Sequence, residues 1–363
     1  MYVKYLTLIN YRNYDELSLE LNKNVNILIG DNAQGKTNIL ESIFFCSIGK
    51  SHRTNRDREL IKWERENAYI KAYVCKERLD KKIEVKILKD GKKAININSI
   101  KVGRISELMG NLNVVMFSPE DLKIVKESGS FRRKFMDIEL CKLNPKYYYY
   151  LTRYNKILDE RNTVIKKYSG NDLDIMDVYD RQLGNFGGYI IKERANYIRT
   201  LNEKAEIIHG NITEGKEKLN LKYISSVKNI NDASNELTEK LIKNRKNDFD
   251  KRTTSLGPHR DDFLVQSNEI DIRSFGSQGQ QRTSVLSIKF ASLEIIKEII
   301  GEYPVLLLDD VLSELDYNRQ KYILNSINNI QTIITCTGLN NIKDNICEDA
   351  TIFNIKSGKV IKE

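Results

Sequence analysis

A chain of 363 residues, 40% of them hydrophobic, exceeds one ordinary core and suits two domains or one domain carrying a large insertion. Every apolar run falls short of the roughly 18 residues a membrane-spanning helix needs, which excludes a membrane partner. Five scattered cysteines (Cys46, Cys75, Cys141, Cys336, Cys347) and three histidines exclude a cysteine- or histidine-rich metal centre and fit a reduced cytosolic compartment. The net charge of +9 invites a polyanionic partner, although a bias toward Lys, Asn, Ile and Tyr raises the charge without any function.

The opening "MYVKYLTLINYRNY" alternates as a first strand does and does not read as a signal peptide. "ELSLEL" alternates too, and "VNILI" is a short buried run ending at Gly30. A glycine-rich turn follows, then a helix with Ile39, Leu40, Ile43, Phe44 and Ile48 at helical spacing. "AYIKAYV", "KIEVKIL" and "AININ" predict strands, the last two joined by a hairpin with Asp90-Gly91 as its turn, and "LNVVMF" predicts another buried strand.

From about Asn144 the period becomes helical. Leu151, Tyr154, Leu158 and Ile165 share one face, and Ile191, Ala195, Ile198, Leu201, Ala205 and Ile208 share another, with a break at "SGNDLD" between them. Near Phe263 the alternation of strand and helix returns, with "PVLLLDD" and "QTIITCT" as buried strands flanking a helix at "YNRQKYILNSI". That order predicts an α/β head with a mostly parallel sheet and a β-rich N-terminal lobe, interrupted by an inserted helical arm. The corresponding segments are 1–140 and 251–363 for the head and 141–250 for the arm.

Gly30, Asp31, Asn32, Ala33, Gln34, Gly35, Lys36 and Thr37 match G-x-x-x-x-G-K-[ST] in full, with a buried strand before and a helix after. Glycines let the backbone N–H groups converge on phosphate oxygens, and the helix N-terminus adds positive potential. Lys36 would reach the β- and γ-phosphates of ATP, and the Thr37 hydroxyl would ligate Mg2+. "PVLLLDD" carries carboxylates to the C-terminal edge of a buried strand, where ligands sit in open α/β sheets. Asp309 would hold the magnesium, and Asp310 would orient or activate the attacking water. Lys36 and Asp309 stand 273 residues apart, a gap that leaves room for the arm. A metabolic phosphotransferase would need closer motifs and an acceptor lid.

"SFGSQGQQRTSVLSI" resembles the signature motif of ABC-type ATPases, most closely in its SMC-like form. The resemblance implies that Ser277 and Gly279, with Gln278 and Gln280 beside them at a helix N-terminus, bind the γ-phosphate held by a second copy. The lesser alternative is a polar helix cap with Ser277 as N-cap. "SELD", Ser313 to Asp316, resembles the loop such ATPases use across their dimer interface.

Along nearly its whole length the chain resembles the bacterial RecF family, through "NYRNY", "GKSHRT", "FSPEDLKIVKESGSFRRKFMD", "YLTRYNKILDERN", "TSLGPHRDD", "SQGQQR" and "LLLDDVLSELD". Glu127 and Gly129 depart from the family's usual Gly and Pro. The resemblance implies a cytoplasmic, slow, DNA-stimulated ATPase that forms an ATP-dependent homodimer at gapped, single-stranded or duplex DNA. It also implies work with RecR and RecO in placing RecA on single-stranded gaps. The alternative is another SMC-like ABC subunit that moves a protein partner. Arg12, Lys50, Arg53, Arg56, Arg132, Arg133 and Arg153 are candidate phosphate contacts. Arg132 and Arg133 serve as well in a structural ion pair with acids such as Asp137, and Arg53 or Arg56 in touching ATP. "GPHRDD", with His259 between acids, has the look of a hydrolase site but is read as a turn and strand start. Tyr147 to Tyr150 face all sides of a helix, so packing is favoured over base stacking.

Overall fold

The structure, a computed structural model, describes residues 1–167, 173–338 and 350–362. Cys347 lies outside the described residues, as does most of the expected break at "SGNDLD". In chain order the elements begin with β1 (Tyr2–Tyr11), β2 (Tyr14–Glu20), β3 (Val25–Ile29) and α1 (Lys36–Ile48). Next come β4 (Asn67–Cys75), β5 (Lys81–Leu88), β6 (Lys93–Ile97), β7 (Ile100–Lys101), α2 (Ile105–Leu108) and β8 (Val114–Phe117). Then follow α3 (Lys123–Lys126), α4 (Gly129–Leu143), α5 (Pro145–Lys167), α6 (Leu173–Ile212), β9 (Leu219–Ile224), α7 (Ala233–Lys243) and α8 (Arg245–Lys251). The remainder is β10 (Asp262–Ser267), β11 (Ile270–Asp271), α9 (Ile272–Phe275), α10 (Gln278–Ile300), β12 (Val305–Asp309), α11 (Tyr317–Ser326), β13 (Thr332–Cys336), β14 (Thr351–Lys356) and β15 (Lys359–Lys362).

Two compact units result, 1–121 with 292–363, and 122–291. In the first, a sheet of order β15-β14-β3-β13-β12-β8 is parallel throughout except for the β14–β15 pair. Its inner strands are apolar on both faces, as at Leu306, Leu307 and Leu308, because helix and lobe cover them. The second sheet, β2-β1-β4-β5-β6-β7, is antiparallel and shows the period-2 burial that its sequence predicts. Gly91, at φ +84°, makes the expected hairpin turn. Helix α1 is more deeply buried than its single apolar face implied. Glu41, Ser42, Cys46 and Ser47 are enclosed as well, and the two serines satisfy their hydroxyls on the Ile39 and Phe44 carbonyls.

The second unit, 122–291, contains the 141–250 segment and reaches beyond it on both sides. The strand beginning at Asp262 pairs with β9 and not with the parallel sheet. Arg132 of α4 donates to both Asp262 oxygens, at 2.6 and 2.8 Å, and to the Ile124 and Glu127 carbonyls. These bonds fold the flanking segments into the same body. A Cβ on Gly129 would lie 2.7 Å from Asp262 Oδ2, so the residue that departs from the family pattern is fitted to this ion pair.

At the centre of this unit the fully buried Arg161 donates to Asp180 (2.7 Å), Asp248 (2.7 Å) and Thr254 (2.8 Å), joining α5, α6 and α8. Tyr147 is likewise buried, on Asp137 and Arg194, while Tyr150 packs 4.2 Å from Tyr189 and Tyr149 is half-exposed. His259 is a partly buried structural residue: its Nε2 donates to the Thr254 carbonyl at 3.0 Å, so Nδ1 accepts from Tyr154 Oη at 2.7 Å. Asp261 takes the Tyr223 hydroxyl and Asp262 takes Arg132, which leaves "GPHRDD" as a turn and strand start. Among the described residues no helix is long and apolar enough to cross a membrane.

Replacing Arg161 by Met leaves the buried Asp248 carboxylate without a cation and Asp180 with Arg245 alone, and urea unfolding should show a loss of about 3–5 kcal/mol. Burial pushes the His259 imidazole down to about 4, whereas the unfolded side chain titrates near 6.5. Between these values the unfolded chain binds the extra proton. The stabilisation is therefore complete above pH 6.5 and declines as pH falls through that window, by up to about 3 kcal/mol. Urea midpoints from pH 7.5 to 4 should fall less steeply in His259→Gln than in the wild type; equal slopes would contradict a buried neutral imidazole.

Candidate functional site

The sheet order sets the site. Strand β13 lies between β3 and β12, in parallel register with both, so the phosphate-loop strand and the acid strand end about 10 Å apart at the same edge. Gly30 closes β3, and a Cβ there would stand 2.3 Å from the Ile355 carbonyl oxygen, a contact only glycine avoids. Gly35 has φ +113° and is hemmed in by Asn13 and Tyr14. Those two residues brace the loop from behind: Asn13 Nδ2 donates to Gln34 O (2.9 Å), and Tyr14 Oη to Gly35 O (3.1 Å). Asn38 Nδ2 donates in turn to Asn13 Oδ1, and the Ser357 N–H to Gln34 Oε1. Asp31, Asn32 and Ala33 form the exposed tip of the loop.

No side chain caps α1 and no acid sits in its first turn, so its N-terminal amides face the loop with their positive potential. The Lys36 ammonium lies back on the loop, donating to the Gly30 (2.5 Å) and Asp31 (2.8 Å) carbonyls. Thr37 Oγ1 donates to Asp309 Oδ1 at 2.8 Å across 272 residues of chain. The same oxygen accepts from Thr335 Oγ1 at 2.9 Å. Asp310 follows with φ +54°, its N–H on Thr335 Oγ1 and its carboxylate on the Ser313 hydroxyl. Lys36, Thr37, Arg53, Asp309 and Asp310 all line one open cleft of about 480 Å³. A hydroxyl and a carboxylate oxygen at one point are hard donors, the type Mg2+ takes while keeping water and phosphate oxygens as its other ligands.

The motif at 277–280 belongs to the second unit. Ser277 Oγ accepts from the Gln280 N–H (3.2 Å) and Gln280 Oε1 accepts from the Ser277 N–H (3.0 Å), a reciprocal capping box. Ser277 and Gln278 are exposed and Gly279 is partly so. Gln280 Nε2 also donates to Glu217, which His209 holds from the other side at 3.2 Å. The serine caps its helix, and it remains open to solvent.

The candidate phosphate contacts separate into groups. Arg12 is locked in a two-point pair with Glu41, at 2.7 and 2.9 Å. Burial alone would raise the Glu41 pKa, but hydrogen bonds from Arg12 and Ser51 hold it below the usual range. Arg53 is half-exposed in the cleft, donating to Asn38 (3.0 Å). Lys50, Arg56 and Arg153 are exposed, the last over the Tyr149 ring. Arg132 pairs with Asp262, and Arg133 donates to the Asp261 carbonyl. The structural ion pair expected of the Arg pair is thus made with Asp262, while Arg194 occupies Asp137. Asn13, Tyr14 and Thr335 are site residues that motif reading missed: the first two sit inside "NYRNY", a visible signal, while Thr335 is one more residue of a buried strand.

The RecF/RecN/SMC N-terminal domain profile matches residues 2–357. The DNA replication and repair protein RecF of Clostridium kluyveri is 61% identical over 361 residues, 99% of each chain. The fold is similar to that of the recombination mediator protein RecF with ATPrS in the RecFOR pathway, with TM-score 0.92, 38% identity and 99% and 98% of the two chains covered. The RecF–ATP structure of that pathway gives TM-score 0.90 at 37% identity over 100% and 97%. Carrying a phosphate loop, a facing acid strand and an SMC-like head, the chain belongs to the bacterial RecF family of ABC-type ATPases.

Proposed function

We propose that this chain is an ATP-dependent DNA replication and repair protein whose nucleotide cycle acts as a switch. The single observation that carries the reading is the Thr37–Asp309 hydrogen bond, which joins the phosphate loop to the acid strand at 2.8 Å. Both residues are positioned to share one hard cation between them.

In this reading the Gly30–Thr37 backbone cradles the phosphates and Lys36 exchanges its two carbonyl partners for phosphate oxygens. Thr37 and Asp309 would hold Mg2+, which would supply positive charge against the phosphates. Asp310, with its backbone turned out of the strand, orients the attacking water. Arg53 adds positive charge at the open side. Ser277, Gln278, Gly279 and Gln280 of a second copy complete the site through a helix N-terminus and an exposed hydroxyl. Two copies then close head-to-tail around two ATP molecules and part after hydrolysis. Closure happens on gapped, single-stranded or duplex DNA in the cytoplasm. The work is shared with RecO and RecR, and its outcome is RecA placed on single-stranded gaps. Turnover is slow and rises with DNA, as suits a timing device.

Asp310→Asn should keep ATP affinity within about threefold, lower hydrolysis by about 100-fold or more, and accumulate an ATP-dependent dimer in sedimentation velocity. A variant that stays monomeric with saturating ATP and Mg2+, or that hydrolyses at the wild-type rate, would remove Asp310 from the proposed role.

A further inference from the structure

We propose that Thr335 is a positioning residue for hydrolysis, clamping the two carboxylate-bearing residues at the end of β12 through a single hydroxyl. The inference rests on the roles given above to Asp309 and Asp310 and adds the group that sets their relative placement.

Thr335 is 1% exposed and lies opposite Asp309 in the β12–β13 register. A threonine hydroxyl offers one proton and two lone pairs. Asp309 Oδ1, at 2.9 Å, is a carboxylate oxygen and can only accept. The Asp310 N–H, at 2.9 Å, can only donate. The proton therefore goes to Asp309 and a lone pair receives Asp310, so both bonds run in fixed directions.

Asp310 needs such a hold. Its φ of +54° is left-handed, a conformation that costs a non-glycine residue about 1 kcal/mol or more. In that conformation the chain leaves the strand, and Asp310 stays on the cleft that Asp309, Lys36 and Thr37 also line. The Ser313 hydroxyl contacts the Asp310 carbonyl at 2.7 Å and its carboxylate at 3.1 Å. Asp310 is thus gripped at its amide by Thr335 and at its carbonyl and side chain by Ser313. Removing the Thr335 hydroxyl takes the partner from the part-buried Asp310 amide and leaves Asp309 with one donor fewer, while the strand's packing is nearly unchanged.

The experiment compares Thr335→Val, Thr335→Ser, Asp310→Asn and the Thr335→Val/Asp310→Asn double variant in the full chain. Thr335→Val should lower kcat about 10- to 100-fold, with KM and the affinity for a fluorescent ATP analogue in EDTA within about threefold of wild type. It should also accumulate the ATP-dependent dimer in sedimentation velocity. Thr335→Ser should recover kcat to within about threefold, and Thr335→Val should cost little further in the Asp310→Asn background. Wild-type turnover by Thr335→Val beside an inactive Asp310→Asn would overturn the clamp and leave the assignment of Asp310 intact. Wild-type turnover by Asp310→Asn would overturn that assignment itself. A Thr335→Val defect that Thr335→Ser fails to recover, or one that lowers nucleotide affinity as much as kcat, would assign the effect to packing and also overturn the clamp. Should Thr335→Val fail to fold, Thr335→Ala judged against Thr335→Ser carries the same comparison.

Discussion

A hydroxyl on the first turn of α1 meets a carboxylate at the end of β12, and the first unit is organised so that they can. The two residues are 272 positions apart, too far for any local preference to join them. Parallel pairing does it: β3, β13 and β12 run side by side, and each ends at the same edge. Parallel strands require crossovers, so everything between them in sequence must leave the sheet and return. The long separation that looked in sequence like a clue to an inserted arm is, in structure, the interval bridged by that one contact.

The phosphate loop was legible because its chemistry leaves little choice of residue. Gly30 faces a carbonyl at a distance no Cβ tolerates, and Gly35 takes a left-handed φ, so both glycines announce their geometry. The parallel strands were legible as apolar runs ending in Gly30 or Asp309. Other features were hidden for physical reasons. Strand β9 carries Asn220, Lys222 and Ile224 on its open side, and nothing local says that it pairs with a strand about 40 residues on. The boundary of the second unit is set by Arg132 reaching Asp262, a long-range ion pair that composition cannot show. Thr335 illustrates the same limit, since a threonine in a buried strand looks like any β-former until its register against Asp309 is known.

Charged residues in the second unit do structural work that periodicity alone disguises. Arg161, Arg194 and Asp180 are buried where an amphipathic reading of α5 and α6 would place apolar side chains, and Asp248 of α8 is buried with them. Buried ion pairs add little net stability over apolar packing, but an unpaired member is very costly. A helix register that mispairs them is therefore strongly disfavoured, which makes the network a device for selecting one arrangement of α5, α6 and α8. The same logic accounts for His259 and Tyr154, which satisfy each other only in one tautomer and one orientation.

Charge balance in the cleft explains why the proposed reading needs a divalent cation as well as the loop. Lys36, Arg53 and the N-terminus of α1 supply the positive potential, and Asp309 and Asp310 stand close by. A triphosphate entering alone would put its terminal oxygens against two carboxylates in a partly enclosed space. Like charges a few ångströms apart repel by several kcal/mol when water screens them poorly. Asp309 and Thr37 would hold such a cation, which would supply the positive charge to offset that repulsion, while Asp310, one residue further, is turned aside at φ +54°. Two adjacent aspartates could then do different work because the backbone between them changes direction, and the threonine on the neighbouring strand bonds to both.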